Sequence, residues 1–384
     1  MKITIKRTDD QVALVQAMGS NNREEAYEAQ AAVAELIGPV VDEVVNNAPT
    51  VANLFTDLTY QWDDNPSLPL DLFHDITDED YIQVYSQQVA GGLPYNQVFP
   101  AHNELKFSTY TLDSALAFDR KYVRKARLDV VSKTFTRMAQ EILLKQERTS
   151  FNIIATALVL ANSKSSAGGS VAAGNHVIRT GANDRFVLND LNRLITLSKR
   201  INSSWAGGTP VGGPKAGITD LLVSPEMVEQ LRAMAYNPIN TNGAPMTGGA
   251  TALLDSLPAP EALRNELYKA AGLPQFYGIN IMELNELGVS QRFNSIFATV
   301  NANNGSPVGS FATDDDEIMI GIDRNKDALI RPVVLDEGNT GKLSILVDDQ
   351  FSVRQNKIGY YAKIEEGRIC IDDNALCGLA VEYS

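Results

Sequence analysis

Apolar residues recur at helical spacing in the longer stretches of this chain and at alternate or continuous positions in shorter ones. Ala26, Ala29, Val33, Leu36, Ile37, Val40 and Val44 mark an amphipathic helix. Ser20-Asn21-Asn22 offers its N-cap, Glu24 and Glu25 suit its positive end, and Asn46 to Pro49 closes it. Gly38-Pro39 predicts a break or kink near its middle. A longer helix is marked by Leu128, Val131, Phe135, Met138, Ala139 and Ile142, continued by Ile154, Ala155 and Leu158. Asp119 is its expected N-cap and the Ser/Gly-rich run after Asn162 its stop. At ~1.5 Å per residue such a helix of about 40 residues spans on the order of 60 Å, so a break near Thr149-Ser150 is an option.

Other stretches are strand-like. Lys2 to Lys6 alternates. Tyr81 to Val89 and Glu104 to Leu112 read as two strands joined by a long loop rich in Gly and Pro. Both carry polar and aromatic residues on each face, so this hairpin needs a surface to rest on. Further on, residues 186–202 form an amphipathic helix, and Leu221-Leu222-Val223 is a short buried strand. Ser224-Pro225-Glu226 then supplies a cap, a proline at the first helical position and an acid in the first turn. Strands are expected at Phe276–Met282, Phe297–Val300, Ile318–Ile322, Leu343–Val347, Gln350–Gln355, Tyr360–Glu365 and Leu376–Glu382. Ile364, Ile369, Ile371, Leu376, Leu379 and Val381 are expected to pack under the long helix. The whole reads as an α+β protein with an α/β unit in its second half.

Charge adds what hydropathy does not show. From Glu24 to Leu105 there is no lysine or arginine, while the segment after it, from Lys106 to Arg148, is rich in both. Complementary fields of this kind guide encounter and register between copies. The net charge of −14 disfavours tight binding to DNA or to an anionic membrane, and no run of about 18 apolar residues appears. Two cysteines, Cys370 and Cys377, are too few for a disulfide scaffold and match no zinc spacing, so they read as small buried residues.

Candidate chemistry is thin. His74, His102 and His176 are too far apart for a zincin motif, and no Gly-x-Ser-x-Gly elbow occurs. Gly207 to Lys215 resembles a phosphate loop but lacks Lys and Ser/Thr directly after its last glycine. Asp75 to Asp80 and Asp314 to Glu317 lack the glycine and distal glutamate of an EF-hand loop and read as solvated acidic turns. No catalytic, cofactor or metal residues are assigned.

The order of elements carries a resemblance. The hairpin 81–112 feeds Asp119-Arg120-Lys121-Tyr122-Val123-Arg124-Lys125 and the long helix. Thr219 to Met227 is a strand-to-helix entry, Phe276 to Ile281 a further strand, and Ile358 to Lys363 with Ala375 to Ala380 the returning β segment. In this order they resemble the major capsid proteins of tailed bacteriophages, the HK97-type fold, over most of the chain. The resemblance implies an N-terminal arm over 1–58, an extended loop over 59–118, a peripheral domain with its spine helix over 119–180 and 344–384, and an axial domain over 181–343. It implies a non-enzymatic shell protein without cofactor or metal, located in the virion and assembled in the host cytoplasm. Copies would form hexamers and pentamers of an icosahedral head around double-stranded DNA, with scaffolding, portal and decoration proteins as further partners and no membrane.

On that resemblance the acidic loop (Asp71, Asp75, Asp78, Glu79, Asp80) of one copy docks on the basic segment (Arg120, Lys121, Arg124, Lys125) of the next. Some family members lock the shell through a lysine of the extended loop. Residues 60–105 here hold no lysine, so non-covalent locking is expected. With numbering from Met1, no cleaved N-terminal scaffolding segment is expected, and the resemblance then implies a separate scaffolding protein. The competing readings are an encapsulin-like compartment shell and a soluble hydrolase with an acidic site.

Overall fold

The computed structural model describes residues 8–48, 50–61, 67–69, 104–125, 127–163, 176–180, 186–201, 217–236, 275–276, 278–303, 316–335, 342–348 and 355–382. The fold is α+β, as expected, and its residues gather into two compact units. The first comprises Met1–Leu68, Glu104–Ser150 and Ile330–Ile369. The second contains, among its described residues, Phe151–Leu329 and Cys370–Ser384. The division between the units falls after Ser150, within the long helix, and the C-terminal strand belongs to the second.

The first unit begins with α1 (Asp9–Ala17) and α2 (Arg23–Asn46). The helix α2 is continuous through Pro39, so the break that was one of the two expectations there does not occur. Pro39 sits on the solvent side of the helix, so a backbone carbonyl left without its amide can be hydrated there, and the lost bond costs little. The buried stripe runs through Ala26, Ala29, Val33, Ile37, Val41 and Val45, so Leu36 and Val40, expected in the core, lie outside it.

Next come β1 (Thr56–Gln61), β2 (Ser67–Pro69) and β3 (Glu104–Lys106), of which β2 and β3 pair. The expected strand 104–112 is split: β3 ends at Lys106 and β4 (Tyr110–Asp119) follows. The expected strands 2–6 and 81–89, and most of 350–355, lie outside the described residues.

Asp119 caps not the long helix but a short one, α3 (Arg120–Arg124), its Oδ1 accepting from the Lys121 amide at 3.0 Å. The spine helix α4 (Leu128–Ser163) is then continuous through Thr149-Ser150 for 36 residues, about 54 Å at the standard rise. Inside it Ser150 donates from Oγ to the Gln146 carbonyl at 2.5 Å, so its hydroxyl is satisfied within the helix and interrupts nothing.

The first unit's sheet takes β10 (Leu329–Leu335), β11 (Ser344–Asp348) and β12 (Lys357–Glu366). β12 runs antiparallel to β4 on one side, with Tyr361 opposite Ala115, and to β11 on the other, with Tyr361 opposite Leu346. β1 pairs parallel with β10, and the short β13 (Ile369–Cys370) also pairs with β10. Tyr360 is the centre of the core. Its ring stacks on Phe118 (6.0 Å between centroids) and meets Phe135 of α4 edge-on (5.2 Å). Its hydroxyl donates to the Gln30 carbonyl at 3.4 Å, and burial pushes its pKa well up. Ile364 packs in this core with α4, as expected.

The second unit is built on one sheet. It contains β5 (Val177–Arg179), β6 (Asp220–Val223), β7 (Gln275–Phe276), β8 (Ile279–Glu283), β9 (Asp316–Ile322) and β14 (Leu376–Glu382), in the order β5-β14-β9-β6-β8-β7. Gly278, at φ +76°, makes the turn between β7 and β8 within the single strand expected there. Helices α5 (Leu188–Ile201) and α6 (Pro225–Tyr236) appear where their spacing placed them, α6 with Ser224 as cap. Residues 297–300, expected as a strand, instead lie in α7 (Arg292–Asn303). Phe293 and Phe297, one turn apart, both pack on Phe151, at 4.0 Å and 5.9 Å, and this helical pairing overrides the local β propensity. Leu379 and Val381 pack with α5 and α6 residues, while Gly378 is where β14 meets the helix above it. A Cβ there would stand 3.2 Å from Leu158 Cδ2.

Candidate functional site

The basic segment expected to receive a neighbour's loop is set by strand register. Asp119 pairs with Lys357 at the end of β12, and the chain turns there into α3. Its four cations differ in what they do. Arg124 donates from Nε to the Gly19 carbonyl at 3.0 Å and from a terminal nitrogen to Asn21 Oδ1 at 2.5 Å. Arg120 donates to the Ser20 carbonyl. Both arginines therefore hold the turn between α1 and α2 of their own chain. A Cβ on Gly19 would stand 2.8 Å from Arg124 Cγ, so glycine is needed for this approach. Burial, with Arg124 as a like-charged neighbour, lowers the pKa of Arg120.

Lys121 and Lys125 are exposed. Lys121 pairs with Asp119 at 3.2 Å and lies 5.1 Å from the Tyr122 ring centroid. Hydrogen bonds from Lys121 hold the Asp119 carboxyl below its usual range, and Asp119 raises Lys121 in turn. The acidic residues Asp71, Asp75, Asp78, Glu79 and Asp80 lie outside the described residues. The segment that carries them leaves and returns through the paired strands β2 and β3.

Two buried polar clusters were not anticipated. In the first unit Glu366, wholly buried, accepts from Arg368 at 3.0 and 3.2 Å, from Gln146 of α4 at 3.0 Å and from the Tyr110 hydroxyl at 3.3 Å. Arg331 lies 3.5 Å from Glu366 and 3.0 Å from Asp57, which also pairs with Lys342. Arg368 further donates to the Ala52 carbonyl at 3.2 Å and lies over the Phe55 ring at 5.3 Å. The cluster ties the segment after α2, β1, β10, β12 and α4 into one body.

In the second unit, Asp316 and Glu317 correct the reading of 314–317 as a solvated turn: both are buried in β9. Asp316 pairs with Arg179 at 3.0 Å. Glu317 accepts from Ser224 Oγ at 2.5 Å and from the Val289 amide at 3.0 Å. Desolvation raises its pKa, those two hydrogen bonds oppose the rise, and Glu226 adds to it. Acids at the head of an apolar strand were the only hint in the sequence, since their partners lie far off along the chain.

The histidine and cysteines have structural surroundings. His176 Nδ1 is 3.1 Å from the Leu376 carbonyl, and neither cysteine is in a disulfide: Cys377 is buried, as expected, while Cys370 is only half-buried, its Sγ 3.6 Å from the Asp372 carbonyl. Burial pushes the Cys377 thiol up to about 12, which makes it inert as a nucleophile. Among the described residues no group of three or more His, Cys, Asp or Glu side chains converges as a metal-ligand set. Nor is any described helix long and apolar enough to cross a membrane.

No family model matches the chain, and no curated protein matches it in sequence. Solved structures similar to it include phage capsids and an encapsulin. It aligns with the capsid of the cyanophage P-SCSP1u at TM-score 0.47 and 13% identity, over 86% of each chain. It aligns with the capsid of a native GTA particle at 0.47 and 12%, over 87% of this chain and 90% of that one. The holo-SrpI encapsulin complex from Synechococcus elongatus PCC 7942 aligns at 0.43 and 10%, over 87% of both.

Proposed function

We propose that this chain is the structural subunit of a closed protein shell of the tailed-phage major capsid type. The observation that carries this reading is the realised order of elements. An N-terminal helical segment is followed by a long segment closed at its base by β2 and β3, then by the 36-residue helix α4, a sheet-and-helix unit, and a return to both sheets in β12 and β14. It is the order on which the sequence resemblance rests. Charge segregation supports it, because opposite fields on one chain suit repeated contact between identical copies.

On this reading the protein is not an enzyme. It self-assembles into hexamers and pentamers of an icosahedral head in the host cytoplasm and encloses double-stranded DNA without reading its sequence. Scaffolding, portal and decoration proteins are its other partners, and the shell is held without covalent cross-links. The segment bearing Asp71, Asp75, Asp78, Glu79 and Asp80 reaches the basic segment of a neighbour. Because Arg120 and Arg124 already hold their own chain's α1–α2 turn, the exposed Lys125, and Lys121 in competition with its own Asp119, are the cations that meet it.

Electron microscopy and light scattering of the purified protein test the reading. Closed particles of uniform size, or discrete capsomers that close on adding scaffolding protein, are expected. A chain that stays monomeric at high concentration overturns it. Particles that hold protein cargo and exclude nucleic acid would move it to the encapsulin-like class.

A further inference from the structure

The outer face of α2 carries large apolar side chains that its own unit leaves in solvent. Leu36 is 55% and Val40 45% exposed, and Ala32 and Pro39 lie beside them on the same side of the helix. They are bordered by the exposed carboxylates of Glu28, Glu35 and Glu43, and from Glu24 to Asn46 the helix carries no cation. An apolar stripe edged by one sign of charge marks a contact surface.

What it contacts follows from the charge. Pairing α2 with α2 of another copy would set carboxylates against carboxylates, a like-charge juxtaposition that suppresses association. The complement lies on the same unit. The solvent side of α4 presents exposed Lys133, Arg137 and Lys145 with the exposed acids Asp129 and Glu141 among them, Glu141 pairing with Arg137 at 3.8 Å, so the face keeps an excess of positive charge. Lys133 to Lys145 spans about 18 Å of helix and Glu28 to Glu43 about 22 Å, so the two charged stripes match in length.

We infer that the outer face of α2 in one copy docks along the basic outer face of α4 in a second copy, with Leu36 and Val40 covered at its centre. The contact is separate from the pairing of the acidic loop with Lys121 and Lys125. It joins two different patches of one chain, so it closes a pair where it is reciprocated about a two-fold and propagates from copy to copy where it is not. It rests on the shell reading and gives that reading one of its contacts.

The test is a charge swap followed by sedimentation velocity and microscopy across a concentration series. All substituted residues are exposed, so circular dichroism and melting should match the parent. E28K/E35K and K133E/R137E should each raise the concentration needed for assembly by about tenfold or more, while the chain carrying all four should return close to the parent. The effect of each pair should shrink in high salt. Leu36→Ser with Val40→Ser should weaken assembly at every salt concentration. If the parent assembles and E28K/E35K assembles at the same concentration, or if the four-fold variant is no better than either pair, the α2–α4 contact is wrong and the shell reading stands. If the parent itself remains monomeric, the shell reading fails.

Discussion

Glu366 and Glu317 are both removed from solvent, one in each unit, and the chain treats them in opposite ways. Glu366 lies among cations. Arg368 and Arg331 face it, Asp57 balances the excess, and Gln146 and Tyr110 fill its remaining acceptor sites. Among the described residues no cation pairs with Glu317. A serine hydroxyl and a backbone amide hold it, and another carboxylate, Glu226, stands nearby. A buried charge is tolerated when opposite charge and hydrogen bonds replace its water, and is otherwise driven toward its neutral form. The first cluster therefore joins its segments through charge and hydrogen bonds together, and the second joins β9 to the start of α6 through a hydrogen bond from a neutral hydroxyl.

The largest expected effect comes from breaking the first cluster. Glu366→Ala leaves Arg368 and Arg331 buried without their shared partner and should destabilise the first unit by about 3–5 kcal/mol, read from urea or thermal unfolding. A loss below about 1 kcal/mol would mean that the arginines find other partners. Next, Ser224→Ala removes both the α6 cap and the donor to Glu317, and should cost about 1–2 kcal/mol in the second unit. Tyr110→Phe removes one of several donors to Glu366 and should cost about 0.5–1.5 kcal/mol.

Glu317→Gln should have the smallest effect, and one that depends on pH. The folded chain holds the Glu317 proton more tightly than the unfolded chain does. Its stabilising contribution is thus full below the unfolded carboxyl value and is lost as pH rises through the folded one. The glutamine variant lacks this loss, so the two proteins should converge in acid, and the variant should gain on the parent toward neutral pH. Parallel stability curves across that range would show that Glu317 titrates as an ordinary carboxylate.

Sequence made legible whatever depends on neighbours along the chain. The long helix, the capped entry at Ser224 and the strands at 318–322, 360–365 and 376–382 follow from periodicity and local chemistry, and the structure has them. Errors arose where distant residues decide. Phe297 is helical because Phe151 lies beneath it. Asp316 and Glu317 are buried because Arg179 and Ser224 reach them. Leu36 and Val40 fit a helical apolar pattern equally well as core or as contact surface, and only the rotation of α2 on its sheet separates the two. In the candidate site, the four basic residues were legible as a cluster. That two of them clamp the α1–α2 turn was not, because their acceptors are backbone carbonyls, which every residue has.

The position of β14 between β5 and β9 has a consequence for how the protein is made. Val177 of β5 waits for Gly378 of β14, and no earlier strand fills the slot between β5 and β9. During synthesis the second unit therefore stays open-edged until residues 376–382 have emerged, and non-local closure of this kind is slow. Completion of the second unit's sheet therefore waits on the last strand described.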